Sequence, residues 1–118
     1  MAASRSRRAR ASRKRARRMA KADNDLTDDQ WEALKEAWGG CAYCSKDAAA
    51  LQKDCVLALS RGGRYTVTNV VPACRSCNAS KCNMETTTWM RRKKLDEQAF
   101  LLRYREISTR LAAEFDPA

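Results

Sequence analysis

A small α+β fold, fastened by one cluster of cysteines, is the architecture predicted by three features of this 118-residue chain. Two CxxC pairs, Cys41-Ala42-Tyr43-Cys44 and Cys74-Arg75-Ser76-Cys77, stand 29 residues apart. Two short apolar, β-prone segments lie between them, enough chain for a hairpin. Apolar residues recur at helical spacing on both sides of this unit.

The elements follow in order. Thr27-Asp28-Asp29-Gln30 has the form of a capping box, with two carboxylates in the first turn. Trp31, Leu34 and Trp38 continue at helical spacing and Gly39-Gly40 ends the run, which predicts a helix over about 27–38. A strand is expected to start near Leu51 and to run through Asp54-Cys55 into Val56-Leu57-Ala58-Leu59. Ser60 to Gly63 reads as a turn or loop, and Tyr65 to Pro72 as a short second strand. The second CxxC opens a helix from about Arg75 to Asn83. Thr86 or Thr87 is expected to cap a helix containing Trp89 and Met90. Asp96 is expected to cap another, whose Phe100, Tyr104, Ile107, Leu111 and Phe115 recur at intervals of four, three, four and four. That stripe reads as packing surface, with a dimer interface as the alternative.

Charge is unevenly distributed. Residues 1–22 hold ten of the 24 basic residues and no acidic one, which leaves 14 basic against 14 acidic residues in the remainder. The net charge of +10 therefore belongs to the tail. Rich in Ala, Ser and Arg, the tail buries too little apolar surface to offset the entropy of ordering and is expected to be disordered. An Arg-rich arm suits salt-dependent contact with nucleic-acid phosphates, and a merely solvated tail is the alternative. No apolar run reaches membrane-spanning length and there is no signal-peptide core, so a soluble, cytoplasmic protein without membrane contact is expected.

Paired CxxC spacing in such a chain points to metal before disulfides. Each CxxC puts two sulfurs on one tight knuckle, and two knuckles complete the tetrahedron that zinc prefers. Cys41, Cys44, Cys74 and Cys77 are the expected ligands. With all four positions filled by protein, that zinc is expected to be structural; two disulfides are the competing account. Cys82 reads as a free thiol.

Between the knuckles lies Lys53-Asp54-Cys55-Val56-Leu57-Ala58-Leu59-Ser60-Arg61-Gly62-Gly63, then Thr68-Asn69-Val70-Val71-Pro72-Ala73, and after Cys77 come Asn78-Ala79-Ser80-Lys81. In this order the segment resembles the HNH endonucleases, of the small type found in phage and bacterial genomes, from about Trp31 to Trp89. The resemblance implies a ββα-metal (His-Me finger) core over residues 23–94, between the 1–22 tail and a C-terminal helix over 95–118. It implies a metal-ligating carboxylate at Asp54, a loop-bracing and base-positioning role for Asn69, and the last motif position at Asn78. It also implies one catalytic Mg²⁺ or Mn²⁺ held by Asp54 and Asn78, besides the structural zinc. Arg61, Arg75 and Lys81 are candidates for phosphate contacts, with plain exposed charge as the alternative for each.

Phosphodiester hydrolysis needs a deprotonated water and positive charge near the departing alkoxide. The family places a histidine base where this chain has Cys55, and the chain has no histidine at all. A thiol, with an ordinary pKa of about 8.5, is only slightly ionised at neutrality, whereas imidazole, at about 6.5, can accept a proton there. Losing a general base worth about 10²–10⁴-fold raises the barrier by about 3–5 kcal/mol. Cys55 thus reads as an inactivating substitution, as a working variant, or as a structural thiol in a protein that only binds nucleic acid.

The leading expectation is a metal-dependent DNA endonuclease, impaired at Cys55. The alternative is a non-catalytic, zinc-stabilised nucleic-acid-binding module, and a protein-interaction knuckle is a third. The resemblance implies DNA as partner and a setting in a bacterial or phage-infected cell. It also brings in a phage terminase or another protein that supplies specificity; the chain itself is expected to be a monomer or dimer.

Overall fold

The computed structural model describes residues 26–47 and 50–115; the basic tail expected over 1–22 lies outside them. Helix α1 spans Asp28–Trp38. Its start matches the expectation: the Gln30 N–H donates to Thr27 Oγ1 at 3.1 Å and the Thr27 N–H donates to Gln30 Oε1 at 2.9 Å. The reciprocal pair satisfies two backbone donors that the first turn leaves open. Gly39, at φ +71°, closes the helix in the left-handed conformation, its N–H donating to the Lys35 carbonyl.

Strands β1 (Gln52–Cys55) and β2 (Val70–Ala73) form an antiparallel pair, with Asp54 opposite Val71 and Cys55 opposite Val70. Both are shorter than the sequence suggested. Val56–Leu59 does not extend β1, nor Tyr65–Asn69 β2. The next ladder bond is not made: the Asn69 N–H donates to the Thr66 carbonyl at 3.0 Å, and the Val56 carbonyl accepts from Thr86 Oγ1 at 2.8 Å. The Asn69 carboxamide braces the loop that results. Its Oδ1 accepts from the Leu57 N–H at 2.8 Å, and its Nδ2 donates to the Leu57 and Arg64 carbonyls, each at 2.9 Å. A 3-10 turn at Leu59–Arg61 carries the chain round, and a Cβ on Gly63 would sit 1.8 Å from the Leu57 carbonyl oxygen. Only glycine allows that approach.

Three helices follow: α2 (Arg75–Lys81), α3 (Thr86–Arg92) and α4 (Glu97–Phe115). Helix α2 ends two residues before the expected Asn83, at Cys82 with φ +49°. The cap of α3 is neither threonine proposed for it. Glu85 caps it instead, accepting from the Thr87 and Thr88 N–H groups, while Thr86 is buried and donates to the Val56 carbonyl at 2.8 Å. At α4 the Asp96 carboxylate accepts from the Ala99 N–H at 3.0 Å, as expected of its cap.

The core is an aromatic cluster roofed by α4. Phe100 stacks on Trp38 at 5.7 Å, and its ring also lies 5.1 Å from Tyr43, which meets Trp89 edge-on at 5.1 Å. Phe100, Ile107 and Leu111 are buried and Tyr104 and Phe115 partly so, which makes the stripe packing surface. Each large apolar side chain fully buried this way is worth roughly 1.5–3 kcal/mol. Arg103 of α4 donates to the Trp38 carbonyl at 2.7 Å, placing a cation at the negative end of α1. Among the described residues no helix is long and apolar enough to cross a membrane.

Candidate metal and active site

The hairpin brings the two knuckles together. On the first, the Cys41 N–H donates to the Lys46 carbonyl, the Ser45 N–H to the Cys41 carbonyl and the Ala42 N–H to Pro72 of β2. This ties Cys41 and Cys44 to the strand that leads into Cys74. Cys74 caps α2, its sulfur accepting from the Cys77 N–H at 3.4 Å. The four Sγ atoms lie within 4.8 Å of one another, and Cys44 and Cys74 are 3.8 Å apart. Sulfurs at tetrahedral corners around zinc, with bonds of about 2.3 Å, stand about 3.8 Å from each other. Cys41, Cys44, Cys74 and Cys77 are joined by no disulfide, which speaks against the disulfide account. The thiol set fits one four-coordinate metal ion. Hydrogen bonding from the Cys77 backbone lowers the Cys74 thiol to about 7, whereas burial raises Cys44 and Cys77. Without a metal the cluster thus has one ready thiolate and two thiols that resist ionisation.

Beside the cluster lies the second group of sequence-predicted residues. Asp54, on β1, is 7% exposed and points inward. The Tyr43 hydroxyl donates to its Oδ2, and the Lys81 ammonium is 3.1 Å from the same oxygen. Burial and the Asp54 charge push the Tyr43 phenol far above its ordinary value, so it stays a donor. Lys81, proposed from sequence as a phosphate contact, is 3% exposed. Its ammonium also donates to the Cys55 carbonyl at 3.1 Å. That placement is a correction: the side chain is committed to the protein interior, whereas Arg61 and Arg75 are exposed.

Asn78 lies one helical turn before Lys81 on the same face of α2, and its Nδ2 donates to Gln52 Oε1 at 2.7 Å. Gln52 and Asp54 share a face of β1 by strand alternation, so two parallel links, Gln52–Asn78 and Asp54–Lys81, join strand and helix. Cys55 is half-buried and follows Asp54 at the end of β1, opposite Val70 and beside Asn69. Asp54, Cys55, Asn69 and Asn78 are therefore gathered on one hairpin and the helix behind it. A carboxylate and a carboxamide are hard donors suited to Mg²⁺ or Mn²⁺, and the donor set fits that ion. In the arrangement described here, however, the Asp54 charge is balanced by Lys81. Sequence reasoning missed Tyr43 and Lys81 as partners of Asp54, since neither spacing nor composition signals a buried contact across 11 or 27 residues.

Comparison with known proteins agrees with this geometry. Residues 41–91 match the HNH endonuclease family. A protein of the SPbeta prophage of Bacillus subtilis (strain 168), YoqL, named as a candidate HNH endonuclease, is 29% identical over 86 residues. That alignment covers 64% of this chain and 37% of the relative, so the chain spans little more than a third of its length. No solved structure matches the chain. The strand pair and the helix carrying Asn78 both fall within the segment, residues 41–91, that is similar to the HNH endonucleases.

Proposed function

We propose that this protein is a metal-dependent DNA endonuclease of the HNH type whose activity is limited by Cys55. The observation that carries the reading is the antiparallel pair backed by α2, which sets Asp54 and Asn78 on facing elements within the matching segment. Asp54 and Asn78 would hold a Mg²⁺ or Mn²⁺ ion, whose charge would stabilise the departing alkoxide. Asn69 fixes the loop from Val56 to Asn69 through three hydrogen bonds, and so fixes the backbone beside Cys55. Arg61 and Arg75 would contact phosphates from the exposed surface, and the basic residues of 1–22 would add salt-dependent affinity. The cysteine cluster would hold zinc and keep Tyr43 against Asp54.

A second reading, a non-catalytic nucleic-acid-binding module, is favoured by one observation: the Asp54 carboxylate is already paired with a buried ammonium. Supercoiled-plasmid cleavage by zinc-loaded protein in Mn²⁺ separates the two. The expected result is slow nicking by the native chain, a gain of about 10²–10⁴-fold in Cys55→His, and no cutting when Asn78→Ala is added. If correctly zinc-loaded native and Cys55→His proteins both leave the plasmid intact but bind it, the binding module replaces the nuclease.

A further inference from the structure

The Asp54 site contains a cation of its own. Lys81 Nζ lies 3.1 Å from Asp54 Oδ2 and 3.1 Å from the Cys55 carbonyl oxygen, and its side chain is 3% exposed. A carboxylate next to a backbone carbonyl is the kind of hard oxygen pair that a divalent ion uses. The Tyr43 hydroxyl bonds to the same carboxylate oxygen, so the negative charge is met from two sides. A divalent ion placed on this carboxylate would stand against the ammonium in a site with little water. Like charges at such range strongly disfavour one another when buried.

We propose that Lys81 is a tethered competitor for the Asp54 metal position: it neutralises the carboxylate in the metal-free protein and is expelled to solvent when a divalent ion binds. This inference rests on the proposed metal role of Asp54. The position of the residue permits the exchange. Lys81 is the last residue of α2, and Cys82, which follows it with φ +49°, is exposed. The side chain is thus rooted where the helix reaches solvent, and its flexible stem can carry the ammonium outward without moving the helix. No other basic side chain among the described residues is paired with Asp54. The device keeps Asp54 ordered at low metal and makes occupancy depend on winning against an internal charge.

Two readouts other than cleavage test it. Zinc-loaded native protein is treated with an amine-methylating reagent with and without saturating Mn²⁺, and labelling of Lys81 is followed by peptide mass spectrometry. In parallel, Mn²⁺ affinity is measured by calorimetry for the native chain, Lys81→Gln, Lys81→Arg and Asp54→Asn. Lys81 should be protected without Mn²⁺ and label about tenfold faster or more with it. Lys81→Gln should bind Mn²⁺ about tenfold or more tightly than native, Lys81→Arg no more tightly, and Asp54→Asn not at all. Binding by Lys81→Gln alone would overturn the exchange, because the ammonium would then never leave Asp54. The inference is overturned if native protein binds Mn²⁺ while Lys81 stays protected, or if folded Lys81→Gln gains nothing. Should Lys81→Gln fail to hold zinc, the labelling of the native chain decides. Plasmid cutting in Mn²⁺ with Lys81 still protected sinks the exchange and leaves the nuclease reading standing. Absence of Mn²⁺ binding in every protein sinks both.

Discussion

The thiol cluster and the Asp54 site are both built on the β1–β2 hairpin, and both gather donors that suit a metal ion, yet the fold treats them differently. The four thiols converge on one another, leaving their common centre for an ion. Asp54 is a single buried carboxylate whose charge is met by Lys81 and whose oxygen also accepts from Tyr43. One cluster lacks internal compensation, so metal and folding should be linked. The other is compensated by the chain itself, so the fold should survive without a divalent ion. Tyr43 belongs to the first knuckle and contacts the second site, which makes the dependence run one way: the thiol cluster supports Asp54.

Removing the metal from the thiol cluster should be the most damaging perturbation. Structural zinc contributes about 10–16 kcal/mol in small zinc-finger peptides. A zinc chelator, or Cys74→Ser, should therefore abolish the cooperative thermal transition followed by circular dichroism. Chelation of Mg²⁺ or Mn²⁺ alone should leave that transition in place. An unchanged transition after complete zinc removal would erase the contrast between the sites.

Breaking the internal compensation comes next. Truncating one partner of a buried ion pair costs about 3–5 kcal/mol, because the other charge is left unpaired. Asp54→Ala and Lys81→Ala should each fall in that range by urea denaturation, whereas Asp54→Leu combined with Lys81→Met should cost much less than their sum. Strict additivity in that cycle would show that the pair is not coupled.

Asn69→Ala tests the loop beside Cys55. It leaves the Leu57 N–H and two carbonyls without their partner, a loss of about 1–3 kcal/mol. Faster amide exchange should be confined to Leu57 and its neighbours, with the thiol cluster unaffected.

The smallest effect belongs to the Glu85 cap of α3. Hydrogen bonds from the Thr87 and Thr88 hydroxyls and N–H groups hold the Glu85 carboxyl down to about 2. A depressed folded value means the contribution is present above the unfolded value of about 4.3 and is lost as pH falls toward about 2. The group is almost wholly exposed, so the cap is worth about 1 kcal/mol. Stability curves for native protein and Glu85→Gln should differ by that amount near neutrality and converge below about pH 2.

Most of this contrast was legible in the sequence on the thiol side and illegible on the carboxylate side. CxxC spacing is local: two sulfurs three positions apart on a tight turn are brought to one ligand site. The capping box at Thr27 and the α4 stripe were readable for the same reason, since both express a repeat of a single helix. The ends of the strands were not, because the Val56 carbonyl that the next ladder bond needs is taken by Thr86, 30 positions away. The cap of α3 was misassigned to threonine because the alternative use of Thr86, a bond to the Val56 carbonyl, comes from another element.

The sequence by itself determined which four cysteines form the cluster, and it carries the residue types, Asp54, Cys55 and Asn78, on which the proposed metal site rests. These are matters of residue type and short-range spacing. Only the tertiary structure decided what state those donors are in. Strand alternation and helical periodicity put Asp54 and Lys81 on facing surfaces. The exclusion of water between them then turned a lysine that the sequence would leave in solvent into the buried counter-ion of Asp54.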